Sequence, residues 1–410
     1  MDEKNTKVYG YRWVVLASFV FLAAMTQVLW ISFAPITGAA AKFFGKSDLM
    51  IGLLSMVFMI VYILIVIPSA WVIDTLGFKT AVGIGAVLTG AFGLARGLFA
   101  SNFTAVFICQ IGLAVGQPFV LGAITTLAAR WFPARERATA SGLGTLALYI
   151  GPLAAMFLSP ALLVKIGMTR MLTIYGIAAA ASAVLFLLLA RDHPPTPAGP
   201  DERALMFDGL KSMIKRRDFL YLLAIFFIGL GLFNSVSTWI EDIVRPRGFT
   251  IAQAGQVGGL MLIGGILGAL VMPILSDKFR RRKPFIVLAV AGLLPGLVGL
   301  TFASNVGLVM LSGFIIGFFL LSAGPIGFQY AAEITHPAPE GTSNSLLLVA
   351  GQVSGIIFIL VMDALKDKVS GSMTTSLIGL TALVAGAILL AVFLPESPIA
   401  KEGRGPDGGR

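Results

Sequence analysis

The chain has 410 residues, of which 57% are apolar and only 12% charged, and its mean hydropathy is +0.92. Soluble globular domains run near half apolar with about a quarter of their residues charged, so this composition excludes one and leaves the bilayer as the solvent that fits. The single cysteine, Cys109, and two histidines in polar loops, His193 and His336, exclude an internal disulfide, a cysteine metal site and a buried histidine pair for metal or haem.

The chain starts with a polar stretch of mixed charge, MDEKNTKVYGYR. The apolar run at 13–37 is longer than a signal-peptide core and lacks an A-x-A cleavage pattern, so it is expected to be a retained membrane helix. Trp30 lies in its outer half, in QVLWISFAPI, and Gln27 stands one turn earlier. The second run, 48–74, leads into WVIDTLGFK, where Asp74, Gly77 and Lys79 form a D-x-x-G-x-K turn. Gly77 permits a tight turn there. Asp74 is placed to accept hydrogen bonds from a helix N-terminus and to pair with an arginine such as Arg130. The third run, 79–100, carries Arg96 toward its outer end, where a long side chain can snorkel or pair. The fourth, 103–130, has Gln117 at mid-depth beside the helix-bending Pro118. Glu136 and Arg137 open the fifth, 137–162, and the sixth is 170–190.

Residues 191–218, RDHPPTPAGPDERALMFDGLKSMIKRRD, are the one long polar interruption. They read as a Pro/Gly-rich linker followed by a short basic amphipathic helix on the membrane surface. Six further runs follow at 219–243, 254–276, 284–302, 306–330, 341–364 and 374–394. The seventh run holds Asn234 at mid-depth, then Trp239, then Glu241 and Asp242 near its outer end. Asp277 follows the eighth run in ILSDKFRRRK, and Glu333 closes the tenth. Glu340 opens the eleventh, which holds Gln352 at mid-depth and Asp363 near its outer end. Crossing the hydrocarbon layer takes about 20 apolar residues, and none of these runs alternates as a barrel strand would. The expected fold class is therefore an all-α polytopic membrane protein with 12 transmembrane helices in two six-helix bundles. The expected domains are 1–190, the linker 191–218, a second bundle at 219–400 and a disordered tail at 401–410.

Three internal matches support two equivalent halves. PARERATASGL at 133–143 aligns with PAPEGTSNSLL at 337–347 at a shift of 204. The loop around Asp74 aligns with that around Asp277 at 203, and Gln117-Pro118 with Gly324-Pro325 at 207. This is the parallel-repeat plan of major facilitator transporters, and the Asp74 turn resembles that superfamily's D-x-x-G-[RK] loop. With both termini inside, inner segments carry 21 of the 30 Lys+Arg, which places both ends in the cytoplasm of a cell-membrane protein. The net charge of +10 is thus a topology signal and implies no nucleic-acid partner.

Two groups of residues are candidates for function. Asp74, Gly77, Lys79, Arg130, Asp277 and Glu333 would form inner-face ion pairs that gate the pathway, the bland alternative being solvated turns. Trp30, Gln27, Gln117, Asn234, Trp239 and Gln352 lie within the membrane, where polar groups are costly and default to functional candidates. No Asp, Glu or His sits near the midpoint of the expected cavity-lining helices, so the cavity reads as uncharged, aromatic and amide-lined.

The stretches GLLSMVFMIVYILIVIPSAWVIDTLGFK, QIGLAVGQPFVLGAITTLAARWF and GFQYAAEITHPAPEGTSNSLL resemble the feline leukaemia virus subgroup C receptor-related transporters. AAEIT-x-P-x-x-EGTS is the most specific of these signatures. The resemblance implies choline or ethanolamine transport, or haem export. It also implies a choline site with Trp on helix one, Gln on helix four, Tyr on helix seven and Gln on helix eleven. Trp30, Gln117 and Gln352 match those positions, and Asn234 departs from the family's tyrosine.

The expected function is a secondary transporter of a small polar or cationic amine, working as a uniporter by rocking of two bundles, without cofactor or metal, and monomeric as the superfamily default. Export of larger amphipathic compounds or haem is the alternative within transport. A non-transporting membrane receptor is the alternative of another class. No nucleophile–base pair is visible, so an enzyme is not expected.

Overall fold

A computed structural model describes residues 8–194, 213–336 and 340–397. Among them are 12 helices long and apolar enough to cross a membrane. They are α1 Arg12–Phe44, α2 Asp48–Leu76, α3 Phe78–Leu98, α4 Phe103–Trp131, α5 Arg135–Ile166 and α6 Met168–Leu189. The second set is α7 Arg217–Thr238, α8 Ile251–Phe279, α9 Lys283–Phe302, α10 Val306–Thr335, α11 Gly341–Ala364 and α12 Thr374–Phe393. No strand occurs among the described residues. The amphipathic stretch expected in the linker falls largely at 195–212, and the tail at 401–410; both lie outside the described residues.

The chain divides into two compact units, Met1–Arg203 and Ala204–Arg410. Within the first, α1 packs on α5, α2 on α4, and α3 on both α4 and α6. Within the second, α7 packs on α11, α8 on α10, and α9 on both α10 and α12. The repeat read from short motifs is therefore a repeat of helix pairings.

Small residues let these helices approach closely, as lipid-embedded packing requires. Gly90, Gly93 and Gly97 of α3 face Ala183, Ala179 and Thr173 of α6. In the second unit, Gly313 and Gly317 of α10 lie against the backbone of Val257 and Met261 of α8, while Gly264 and Gly268 of α8 meet Phe314 and Phe318. A Phe19–Phe78–Phe186 cluster ties α1, α3 and α6, with ring centroids 6.1 and 5.9 Å apart. Leu64, Ile67 and Trp71 form an exposed apolar stripe on α2.

Ends and breaks follow local chemistry. Ser47, Asn102 and Asn305 accept from the first-turn amides of α2, α4 and α10, and Thr250 with Gln253 forms a capping box on α8. The first apolar run is not one continuous helix. It is α-helical over Arg12–Ile31, turns at Ser32 and Phe33, passes through a 3-10 turn at Ala34–Ile36 and resumes over Thr37–Phe44. Pro35 has no N–H to give the Ile31 carbonyl, which is where a continuous helix fails. The seventh run also ends earlier than expected, at Thr238; a short separate helix, Ile240–Val244, follows Trp239.

Candidate functional site

In the first unit, Trp30 sits just before the α1 break. Its indole Nε1 donates to the Ser55 carbonyl of α2 at 3.2 Å, and the Ser55 hydroxyl donates back to the Trp30 carbonyl at 3.3 Å. The ring is thereby locked against α2, almost wholly buried. Gln27 lies one turn earlier, backed by Gly151 of α5. Gln117 lies at the middle of α4, also almost wholly buried.

In the second unit, Asn234 of α7 donates to the Gly351 carbonyl of α11 at 3.3 Å. This joins it to the residue preceding Gln352, whose own side chain is half-buried. Trp239 differs from Trp30. It is fully enclosed, with Nε1 on the Ile359 carbonyl at 3.1 Å. The expectation that Trp239 helps to hold a solute is corrected here: with no exposed ring surface and its only donor occupied, it packs α7 onto α11.

The glutamines behave unlike the tryptophans. None of Gln27, Gln117 and Gln352 makes a side-chain hydrogen bond to a described residue, and none has a sealed polar atom. An amide at membrane depth normally finds a protein partner, because lipid offers none. These three remain available to water or a solute. Two phenols behave likewise and were missed by sequence reading. Tyr62 of α2 lies opposite the exposed Leu64–Ile67–Trp71 stripe and two turns from Ser55, and Tyr149 lies near the middle of α5. Both are partly buried, and neither hydroxyl bonds to a described residue. A tyrosine at the midpoint of an apolar run was the available signal.

Two buried charge groups lie near the C-terminal ends of α3 and α7. Arg96 of α3 does not snorkel; it is fully buried and bonds the Leu29 carbonyl, the Ser32 hydroxyl and Gln110. In the second unit Glu241 and Asp242 are buried. Arg245 pairs with them at 2.9 and 2.7 Å, and Lys366 with Asp242 at 2.8 Å. These ion pairs tie the end of α7 to the end of α11.

At the α2–α3 turn, Gly77 has φ +88°, the left-handed region that suits glycine. Arg130 pairs with Asp192 at 2.8 Å, and the same carboxylate accepts from the Lys79 N–H at 3.0 Å. The contacts expected of Asp74 are made by Asp192, and Asp74 is exposed. At the α8–α9 turn, Arg282 bonds Asp277 and Glu333, the latter at 3.2 Å, and Glu396 accepts from the N–H groups of Arg282 and Lys283. Gln329 and Ser397 also donate to Glu333. Burial opposes the Arg282 charge, but Asp277 and Glu333 outweigh it and hold the guanidinium above its ordinary range. Asp277 and Glu333 are therefore brought together, as are Gly77, Lys79 and Arg130. No group of three metal-ligating side chains occurs among the described residues.

The sequence profile of the Major Facilitator Superfamily matches residues 16–358 and 242–409. Solute carrier family 49 member A3 of Xenopus tropicalis is 30% identical over 387 residues, covering 89% of this chain and 80% of that protein. The choline/ethanolamine transporter FLVCR1 of Felis catus is 28% identical over 419 residues, covering 95% and 72%. The choline/ethanolamine transporter FLVCR2 of Homo sapiens is 28% identical over 394 residues, covering 90% and 74%. Among solved structures, a D-xylose-proton symporter superposes with a TM-score of 0.73 at 15% identity, covering 96% of this chain and 99% of that one. At that identity the likeness is one of fold.

Proposed function

The chain belongs to the Major Facilitator Superfamily of membrane transporters, and from that premise we propose that it carries a small polar or cationic amine such as choline or ethanolamine across the membrane by alternating access. The observation that carries this reading is the set of unpartnered amides at mid-depth, Gln27 and Gln117 in one unit and Gln352 in the other. Groups that cost free energy when left dry in a membrane are retained where a solute or its hydration water bonds them. In this reading Gln117, Gln352 and Asn234 orient hydroxyl or amine hydrogens. Trp30 offers its ring face to the cation, a contact of roughly 0.5–2 kcal/mol depending on how dry the site is. Tyr62 and Tyr149 supply further aromatic walls in the first unit, offsetting the tyrosine that the family carries where this chain has Asn234. The chain's similarity to transporters of choline and ethanolamine supports the same cargo.

No titratable carboxylate or imidazole lies at the midpoint of these helices, which favours uniport driven by the substrate gradient and, for a cation, by membrane potential. The Lys+Arg bias supports a cell-membrane protein with both ends cytoplasmic. The ion pairs at the α2–α3 and α8–α9 turns serve as the gating set on that side. The test is uptake of labelled choline and ethanolamine into proteoliposomes. Saturable uptake that falls at least about tenfold in Trp30→Ala is expected. No uptake by the parent, or equal uptake by Trp30→Ala, overturns the assignment.

A further inference from the structure

Arg96 presents an electrostatic anomaly. It is fully buried within a membrane-spanning helix, and its recorded partners are neutral. Nη1 carries all three of its hydrogen bonds: to the Leu29 carbonyl at 3.1 Å, the Ser32 hydroxyl at 3.2 Å and Gln110 Oε1 at 3.0 Å. Nε and Nη2 are buried and unbonded. A charge placed this way stabilises nothing by itself, since desolvation exceeds what three neutral acceptors return. An apolar side chain of similar volume would suit the bundle better, so the residue's value lies in what it holds.

What it holds is the α1 break. Gln110 of α4, also fully buried, donates Nε2 to the same Leu29 carbonyl at 3.1 Å. Leu29 and Trp30 lie in the last turn before the α-helix ends at Ile31, Ser32 is the first residue beyond it, and the Arg96 guanidinium also stacks over Phe33 at 5.5 Å. Two side chains from α3 and α4 therefore grip α1 on one side of Trp30, while Ser55 of α2 grips Trp30 itself on the other. A helix interrupted at Pro35 has carbonyls to satisfy and no intrinsic reason to stop at one geometry. The donors from α3 and α4 select that geometry.

We infer that Arg96, acting with Gln110, is a positioning residue for the transport site: it occupies the backbone acceptor beside the α1 break and so fixes Trp30 where the cargo meets it. This rests on the reading that Trp30 contacts the cargo. Arg96 touches no cargo, being sealed behind α1. Arg96→Lys keeps one donor toward Leu29 and should retain part of the function. Arg96→Met and Gln110→Leu keep volume and remove the grip.

The test combines hydrogen exchange with uptake. In purified Arg96→Met the melting temperature should equal or exceed that of the parent. Amide exchange over residues 30–36 should rise at least about tenfold, while a control segment at 234–244 stays unchanged. In proteoliposomes the KM for choline should rise about tenfold with Vmax less affected, and Arg96→Lys should fall between. Unchanged exchange at 30–36 overturns the inference, as does an unchanged KM in protein that transports choline. So does a rise spread over both units, which would make Arg96 a general stabiliser. If the parent carries neither choline nor ethanolamine, the cargo reading falls alone, and the exchange measurement still decides whether Arg96 positions α1.

Discussion

The Asp192 carboxylate accepts a hydrogen bond from the Lys79 backbone N–H at 3.0 Å, closing the start of α3 with a residue that lies beyond the end of α6. The contact recurs at Glu396 and Lys283, each 204 residues further along, at 3.1 Å. In both units the chain leaving the sixth helix returns an acid to the N-terminus of the third, where the helix dipole favours negative charge. The repeat is thus written in the contacts of these turns as well as in helix order.

That cap makes the α2–α3 turn sensitive to small changes. A Cβ on Gly77 would lie 3.0 Å from Asp192 Oδ1 and 3.1 Å from Arg130 Nη1, at a φ of +88°. Gly77→Ala is expected to lower stability by about 1–2 kcal/mol from backbone strain. Asp192→Ala should lose about 1 kcal/mol as a cap. Thermal unfolding monitored by size-exclusion would register both, and a Gly77→Ala protein as stable as the parent would show that the turn relaxes freely.

The mid-depth amides separate binding from stability. Gln117→Ala and Gln352→Ala remove groups that bond no described residue, so their melting temperatures should stay near that of the parent while the KM for the transported amine rises. Asn234→Ala removes the bond to Gly351 and should in addition cost about 0.6 kcal/mol, a typical membrane hydrogen bond. If Gln117→Ala instead melts early, the residue has a structural partner and is not part of the site.

Removing an acid from the buried ion pairs at the end of α7 should be costly. Asp242 is fully buried between Arg245 and Lys366. Asp242→Asn is expected to destabilise by about 3–5 kcal/mol, because it removes the buried carboxylate that Arg245 and Lys366 share. Adding Lys366→Met to that variant should recover part of the loss. A single variant that purifies with an unchanged melting temperature would show that water reaches the cluster.

The α8–α10 contact depends on the absence of side chains. A Cβ at Gly317 would overlap the Met261 backbone, and one at Gly268 the Phe318 backbone. Gly317→Val should force the helices apart and cost about 3 kcal/mol or more, at the upper end of overpacking. Gly379, which faces open space, should accept the same change with little effect. Fluorescence-detected expression of the two variants side by side gives the answer.

Much of this molecule is decided by composition and spacing. Twelve apolar runs, one polar linker and three matches near a shift of 204 are sufficient for a polytopic protein of two equivalent halves, because a lipid solvent admits only helices with internally bonded backbones and closed barrels. The mid-depth positions of Trp30, Gln117, Asn234 and Gln352 are legible for the same reason, since depth is set by distance along a helix. What neighbours each side chain is not set that way. Asp192 takes the place expected of Asp74, because which acid reaches Arg130 and the start of α3 depends on how the chain turns after α6. Trp30 and Trp239 are the same residue type, each bonded through its indole N–H to a carbonyl of another helix, yet Trp30 keeps a little exposed surface and Trp239 is fully enclosed. Arg96 reads along the sequence as a charge near a helix end that can snorkel or pair, and only the packing of α1, α3 and α4 decides that it turns inward onto the Leu29 carbonyl. A membrane solvent fixes which segments are buried in lipid, and the meeting of helices distant in sequence fixes what each polar group then finds.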